Sequence, residues 1–84
     1  MIVSFHITAW EDYLWFQKND KQCVKRIIEL LKDIYRNGYE GVGKPEPLKY
    51  ELQGWWSRRI TKEHRLVYRI NENGIEVLML RYHY

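Results

Sequence analysis

Beyond Gly54 the chain offers three strand-length runs, residues 55–61, 65–71 and 75–82, joined by turns of only a few residues. Connections that short leave no room for a crossover, so the runs are expected to lie as antiparallel neighbours. The rest of the chain has to cover this meander. Its last run carries Val77-Leu78-Met79-Leu80 and stops in Arg81-Tyr82-His83-Tyr84. It is expected at the edge of the sheet, with one strand neighbour. A terminus is the part that a small domain can leave frayed, so a cation, an imidazole and two phenols directly after an apolar strand read as part of a site.

The turn Glu72-Asn73-Gly74 admits two registers. A two-residue Asn73-Gly74 turn sets Leu66 opposite Arg81 and Tyr68 opposite Met79. A three-residue loop with Gly74 left-handed sets Leu66 opposite Leu80 and Tyr68 opposite Leu78. The second keeps the charge out of the apolar row and is the expected one, because register follows the buried pattern. It puts Leu66, Tyr68, Leu78 and Leu80 under the helices. Arg65, Val67, Arg69, Val77, Met79, Arg81 and His83 then turn to the opposite, open face.

The first half supplies the cover. Val3 and Phe5 alternate with Ser4 and His6, as in a short strand. Thr8-Ala9-Trp10-Glu11 fits a capping box that opens a helix, with Trp10, Tyr13, Leu14 and Gln17 on one stripe. Asn19-Asp20 breaks it, and Asp20 suits the cap of the next helix, where Val24, Ile27, Ile28, Leu31 and Ile34 recur at helical spacing until Asn37-Gly38. The short break implies an antiparallel helix pair. Residues 38–52 hold three Gly, two Pro and no period, a long loop of the kind that often carries function. Pro45 and Pro47 bias Lys44 and Glu46 towards extended backbone. Trp55 and Trp56 must point to opposite faces of their strand.

The order strand, helix, helix, three strands makes one α+β domain over residues 1–84. A chain of 84 residues with 45% hydrophobic side chains buries about 60 to 65% of its unfolded surface. A single Cys23 rules out an internal disulfide, which makes a reducing, cytoplasmic setting the default. Met1-Ile2-Val3-Ser4-Phe5-His6 has no basic n-region and no apolar run reaches the ~18 residues that span a bilayer, so a soluble protein that is not exported is expected. Charge is divided unevenly. Residues 1–43 carry six Lys/Arg against six Asp/Glu, while residues 44–84 carry eight against five, so the net +3 sits in the second half. Cations interleaved with Trp and Tyr suit phosphates and bases. Solvated basic faces are common, so the asymmetry alone does not decide.

The polar set narrows the chemistry. The sequence has no His/Cys cluster at metal-ligand spacing, no Gly-rich phosphate loop and no serine nucleophile turn; no cofactor is expected. What remains is Glu46, Lys49, Arg65, His83 and Tyr84, a set sufficient for metal-free RNA cleavage by attack of the 2′-hydroxyl on its own phosphate. Glu46 is the candidate base, His83 the candidate acid and Arg65 the candidate partner of the phosphorane oxygens. Arg59 and Arg81 are further candidate contacts to substrate. His6 and His64 read as ordinary surface residues.

These residues resemble a known family, the YoeB-type toxins of the RelE/ParE superfamily. The resemblance rests on Trp10-Glu11-Asp12-Tyr13-Leu14, on Gly43-Lys44-Pro45-Glu46-Pro47-Leu48-Lys49, on Gly54-Trp55-Trp56-Ser57-Arg58-Arg59-Ile60-Thr61, on Glu63-His64-Arg65-Leu66-Val67-Tyr68 and on Arg81-Tyr82-His83-Tyr84. It implies a RelE-like fold, with an N-terminal strand and an antiparallel helix pair on a mostly antiparallel four-stranded sheet. It also implies the toxin of a type II toxin–antitoxin pair, an mRNA interferase that cleaves mRNA in the ribosomal (30S) A site and inhibits translation. In that pattern Glu46 is the base, His83 the acid and Arg65 the phosphate stabiliser, with Tyr84 completing the site and Lys49 supporting it. The implied partners are mRNA, the ribosome, a cognate antitoxin and a second copy in a homodimer. Val42, Tyr50 and residues 75–80 depart from the pattern and bear on antitoxin pairing. A ParE-like gyrase poison would share the fold without needing Glu46 and His83, and a non-catalytic RNA-binding module would tolerate loss of His83.

Overall fold

The amide of His6 donates to Val77 O at 2.9 Å, and the carbonyl of His6 accepts the first helical bond, from Trp10 N, at 3.0 Å. The N-terminal strand thus runs into a helix without a loop. In the computed structural model, which describes residues 1–82, β1 (Ile2–Phe5) leads into α1 (Ile7–Asn19) and α2 (Lys21–Asn37). The meander follows, with β3 (Trp56–Arg59), β4 (Arg65–Asn71) and β5 (Gly74–Met79). Between them the long loop contributes a two-residue strand, β2 (Glu46–Pro47), and a 3₁₀ turn at Tyr50–Leu52. Among the described residues these strands make one sheet in the order β1-β5-β4-β3-β2, with β1 parallel to β5 and the other pairs antiparallel.

The sheet therefore has five strands, not four. The extra one arises because Pro47 holds Glu46 extended, and Glu46 and Pro47 pair with Ser57 and Trp56. Lys44, expected to be extended for the same reason, is not; it has φ 52 and follows Gly43 at φ 83, with Gly43 O taking the Arg59 amide at 2.8 Å. Nor is β5 an edge strand, since β1 lies on its other side. Ile2 of β1 pairs with Gly74, and any Cβ built on Gly74 would stand 2.0 Å from Ile2 O. Gly74, at φ 143, is what allows β1 to enter this close.

The β4–β5 register combines two offsets. Near the turn Asn71 pairs with Gly74, Ile70 with Ile75 and Tyr68 with Val77; past an irregularity between Val67 and Tyr68, Val67 pairs with Met79. Only that last pair has the offset expected from the sequence. The irregularity exchanges two residues between faces. Val77 joins Leu66, Tyr68, Ile75 and Leu80 in the helix-side core, while Leu78 packs with Val67 and Met79 on the far side. The far side is not bare: Leu48, Leu52 and Trp55 cover its centre. Both Trp55 and Trp56 are largely covered, one in each cluster.

The helices also follow tertiary constraint over local pattern. Asp20 caps α2 as expected, accepting the Cys23 amide at 3.2 Å, and Gly38 ends it at φ 67. The Thr8 capping box does not form, because the β1–β5 bond at His6 makes His6 the cap and starts the helix two residues earlier, at Ile7. As a result α1 buries Ala9 and Phe16, leaving Trp10 and Leu14 each 44% exposed, and α2 buries Cys23, Ile27, Leu30 and Ile34, with Ile28 outside. Asp12 faces inward and accepts the Leu80 amide at 3.1 Å, tying α1 to the end of β5.

Candidate active site

Residues directly opposite in an antiparallel pair point to the same side of a sheet, and so do residues two apart on one strand. Glu46 is opposite Ser57, Ser57 opposite Val67, and Arg59 opposite Arg65. Glu46, Arg59 and Arg65 thus share the face turned away from the helices. Two strand spacings of about 4.8 Å and a two-residue step of about 3.3 Å per residue separate the Cα atoms of Glu46 and Arg65 by about 12 Å. A separation of that size between the two backbones is wide enough for a phosphodiester to lie between the side chains they carry. Glu46 and Lys49 border a hollow of about 460 Å³ whose lining runs from Glu46 to Leu52. Lys49 is exposed at its rim, and Tyr50 beside it is 85% exposed with φ 58.

Arg65 is held by the β3–β4 turn. Its Nη1 donates to the carbonyls of Thr61 (2.8 Å), Lys62 (3.1 Å) and His64 (3.1 Å). Among the described residues its side-chain bonds run through Nη1, which fixes the guanidinium plane. The Arg65 amide donates to Tyr82 O at 3.3 Å. His83 and Tyr84 lie outside the described residues, but the residue to which His83 is bonded is therefore hydrogen-bonded to the backbone of Arg65. Arg81 is not in the row with Arg59 and Arg65. Its guanidinium carbon sits 3.6 Å from the centroid of the Trp15 ring of α1, and its Nη2 donates to the Tyr82 hydroxyl at 3.1 Å.

Sequence reading passed over two residues here. Arg58 is fully buried. It donates to Gly38 O (2.8 Å), Glu40 O (2.6 Å), Val42 O (3.0 Å) and the Tyr68 hydroxyl (3.2 Å), and to the Asp33 carboxylate. The first segment of the long loop is thereby strapped to α2 and to the sheet just before Glu46. The Arg58 bond holds the Asp33 carboxyl below the usual carboxylate range, whereas burial pushes the Tyr68 phenol up. The signal was present in the doublet Arg58-Arg59: on a strand, one of two adjacent guanidiniums must face the core. The second residue is His64, whose Nδ1 accepts the Tyr82 amide at 2.8 Å. His6 is not idle either. Its Nε2 lies 2.5 Å from Glu76, whose carboxyl is held down to about 2 by hydrogen bonds from Arg69 and then from His6.

Residues 5–84 match the family described as "YoeB-like toxin of bacterial type II toxin-antitoxin system". The chain belongs to the YoeB-like toxins. It is 52% identical to Toxin YoeB of Synechocystis sp. over 84 residues, all of this chain and 98% of that protein. It is 55% identical to Toxin YoeB of Escherichia coli K12 over 76 residues, 90% of each. Among solved structures, the YoeB/ParE toxin from Agrobacterium tumefaciens superposes with a TM-score of 0.95 at 43% identity over the full length of both chains. The YoeB dimer from Staphylococcus aureus gives 0.94 at 54% identity, covering 100% of this chain and 98% of that one. The YoeB–YefM complex from the same organism gives 0.93 at 53%, with the same coverage. The family read from the sequence motifs is thus the family shown, and this YoeB-like toxin is the toxin of a type II toxin–antitoxin system. No helix among its described residues is long and apolar enough to cross a membrane.

Proposed function

We propose that this toxin is a ribosome-dependent endoribonuclease that cuts mRNA in the A site of the small subunit without a metal, and so stops translation in the cytoplasm. Glu46 takes the proton of the 2′-hydroxyl, the freed oxygen attacks the adjacent phosphorus, and the bond to the 5′ oxygen breaks as His83 protonates it. Arg65 faces the phosphorane oxygens with a fork of donors. Tyr84 completes the site; Lys49, Arg59 and Arg81 hold flanking phosphates, and Tyr50 offers a ring to an unstacked base. The requirement for a 2′-hydroxyl restricts the substrate to RNA. The observation that carries this reading is the shared face of Glu46 and Arg65, with the backbone leading to His83 hydrogen-bonded to Arg65 itself, in a chain of the YoeB family.

The partners follow from the same relatives. The Staphylococcus aureus proteins were solved as a dimer and as a complex with YefM, and this chain is proposed to form a homodimer and to bind a cognate antitoxin.

Glu46→Ala tests the base. Substrate positioning by the ribosome and charge neutralisation by Arg65 carry part of the acceleration. The single-turnover rate on mRNA-programmed ribosomes is therefore expected to fall about 10²-fold, less than for loss of the acid. An unchanged rate would remove Glu46 from that role.

A further inference from the structure

We propose that His64 is a positioning residue for the cleavage step, holding through Nδ1 the backbone of Tyr82, the residue that carries the proposed acid His83. This rests on the function proposed above. The turn that carries His64 is knit tightly. Thr61 Oγ1 accepts the amides of Glu63 and His64, both at 3.1 Å, and His64 O accepts the Ile60 amide at 3.0 Å, the Thr61 amide at 3.3 Å and Arg65 Nη1 at 3.1 Å. The imidazole is wedged between two rings. Phe16, fully buried, meets it edge-on at 5.1 Å, and the Tyr82 ring lies against it at 5.3 Å.

What the ring does from that position is specific. A backbone amide can only donate, so the 2.8 Å contact from Tyr82 N makes Nδ1 an acceptor and leaves the proton on Nε2. The amide it takes is under constraint. Tyr82 has φ 63, in the left-handed region that residues with a Cβ avoid, and it is gripped on both sides, by His64 at its N–H and by the Arg65 amide at its C=O. His64 and Arg65 are consecutive. The turn that orients the phosphate-binding guanidinium therefore also sets the backbone from which the acid side chain is carried. Geometry of this kind is where small displacements cost the most rate.

The side-chain atom matters, so the test compares isosteres. His64→Asn places an amide oxygen at the δ position, where Nδ1 was, while His64→Gln places its acceptor one bond further out and His64→Leu fills the wedge with no acceptor. Exchange of the Tyr82 amide is expected to be about 5- to 10-fold faster in the Gln and Leu variants than in the wild type, and near wild type in the Asn variant. Saturating single-turnover cleavage on programmed ribosomes is expected to fall about 10- to 100-fold in Gln and Leu, with ribosome affinity unchanged and the Asn variant largely restored. A merely structural role would not sort Asn from Gln. Unaltered Tyr82 exchange in folded His64→Gln, or cleavage by His64→Gln at the wild-type rate, overturns the proposal. If the wild type itself cleaves nothing, the functional reading falls and takes the role of His64 with it; wild-type cleavage that Gln does not slow condemns His64 alone.

Discussion

His83→Ala is expected to lower the saturating single-turnover rate of mRNA cleavage on programmed ribosomes by about 10²- to 10⁴-fold, with the unfolding transition unmoved. The 5′ oxygen leaves as an alkoxide unless it is protonated as the bond breaks, and Arg65, a permanent cation, has no proton to give at neutral pH. Imidazole titrates in the working range of pH and can be both loaded and spent there. The contacts that hold the described fold together are made among residues 1–82. The helix-side core closes at Leu80, and the last described backbone bonds are those of Tyr82 to His64 and Arg65. Undiminished cleavage by a folded His83→Ala protein would exclude the imidazole as the acid.

The second large effect is on stability. Arg58→Met is expected to cost about 3–5 kcal/mol in urea unfolding. An 84-residue chain has about 4–13 kcal/mol in total, so this is a large share. Methionine keeps most of the apolar stem but leaves the carbonyls of Gly38, Glu40 and Val42, the Tyr68 hydroxyl and the Asp33 carboxylate without their common donor. The Asp33 side chain is only 18% exposed, so water replaces the guanidinium poorly. Asp33→Asn made in the Arg58→Met background is expected to recover part of the loss, a non-additivity that marks the pair as coupled. Cleavage should suffer as well, because the strapped segment leads directly into Glu46. A loss below about 1 kcal/mol would mean that the loop holds itself and Arg58 is dispensable.

Such a node shows where sequence reading stops. Periodicity and turn chemistry located both helices, the Asp20 cap, the Gly38 stop and the three meander strands, all features fixed within a few residues of chain. What it could not supply is contact between distant segments. The parallel entry of β1 beside β5 depends on Gly74 lacking a Cβ that would strike Ile2. The irregularity at Val67/Tyr68 exchanges Val77 and Leu78 between faces, and both are apolar, so hydropathy gave no warning. The Thr8 capping box was locally sound and was overruled by one bond from His6 to Val77. At the candidate site, strand alternation put Arg65 on the far face correctly. Placing Glu46 beside it required β2, whose pairing with Ser57 and Trp56 is a tertiary fact. Arg58 and His64 were passed over because charged and imidazole side chains are usually surface groups, and only their partners distinguish them.

The central claim is internal attack by the 2′-hydroxyl. It is tested most directly by mapping the ends of mRNA cut on programmed ribosomes with and without the wild-type protein. The predicted ends are a 2′,3′-cyclic or 3′ phosphate on the upstream fragment and a free 5′-hydroxyl on the downstream one; a 5′ phosphate facing a free 3′-hydroxyl would contradict the mechanism.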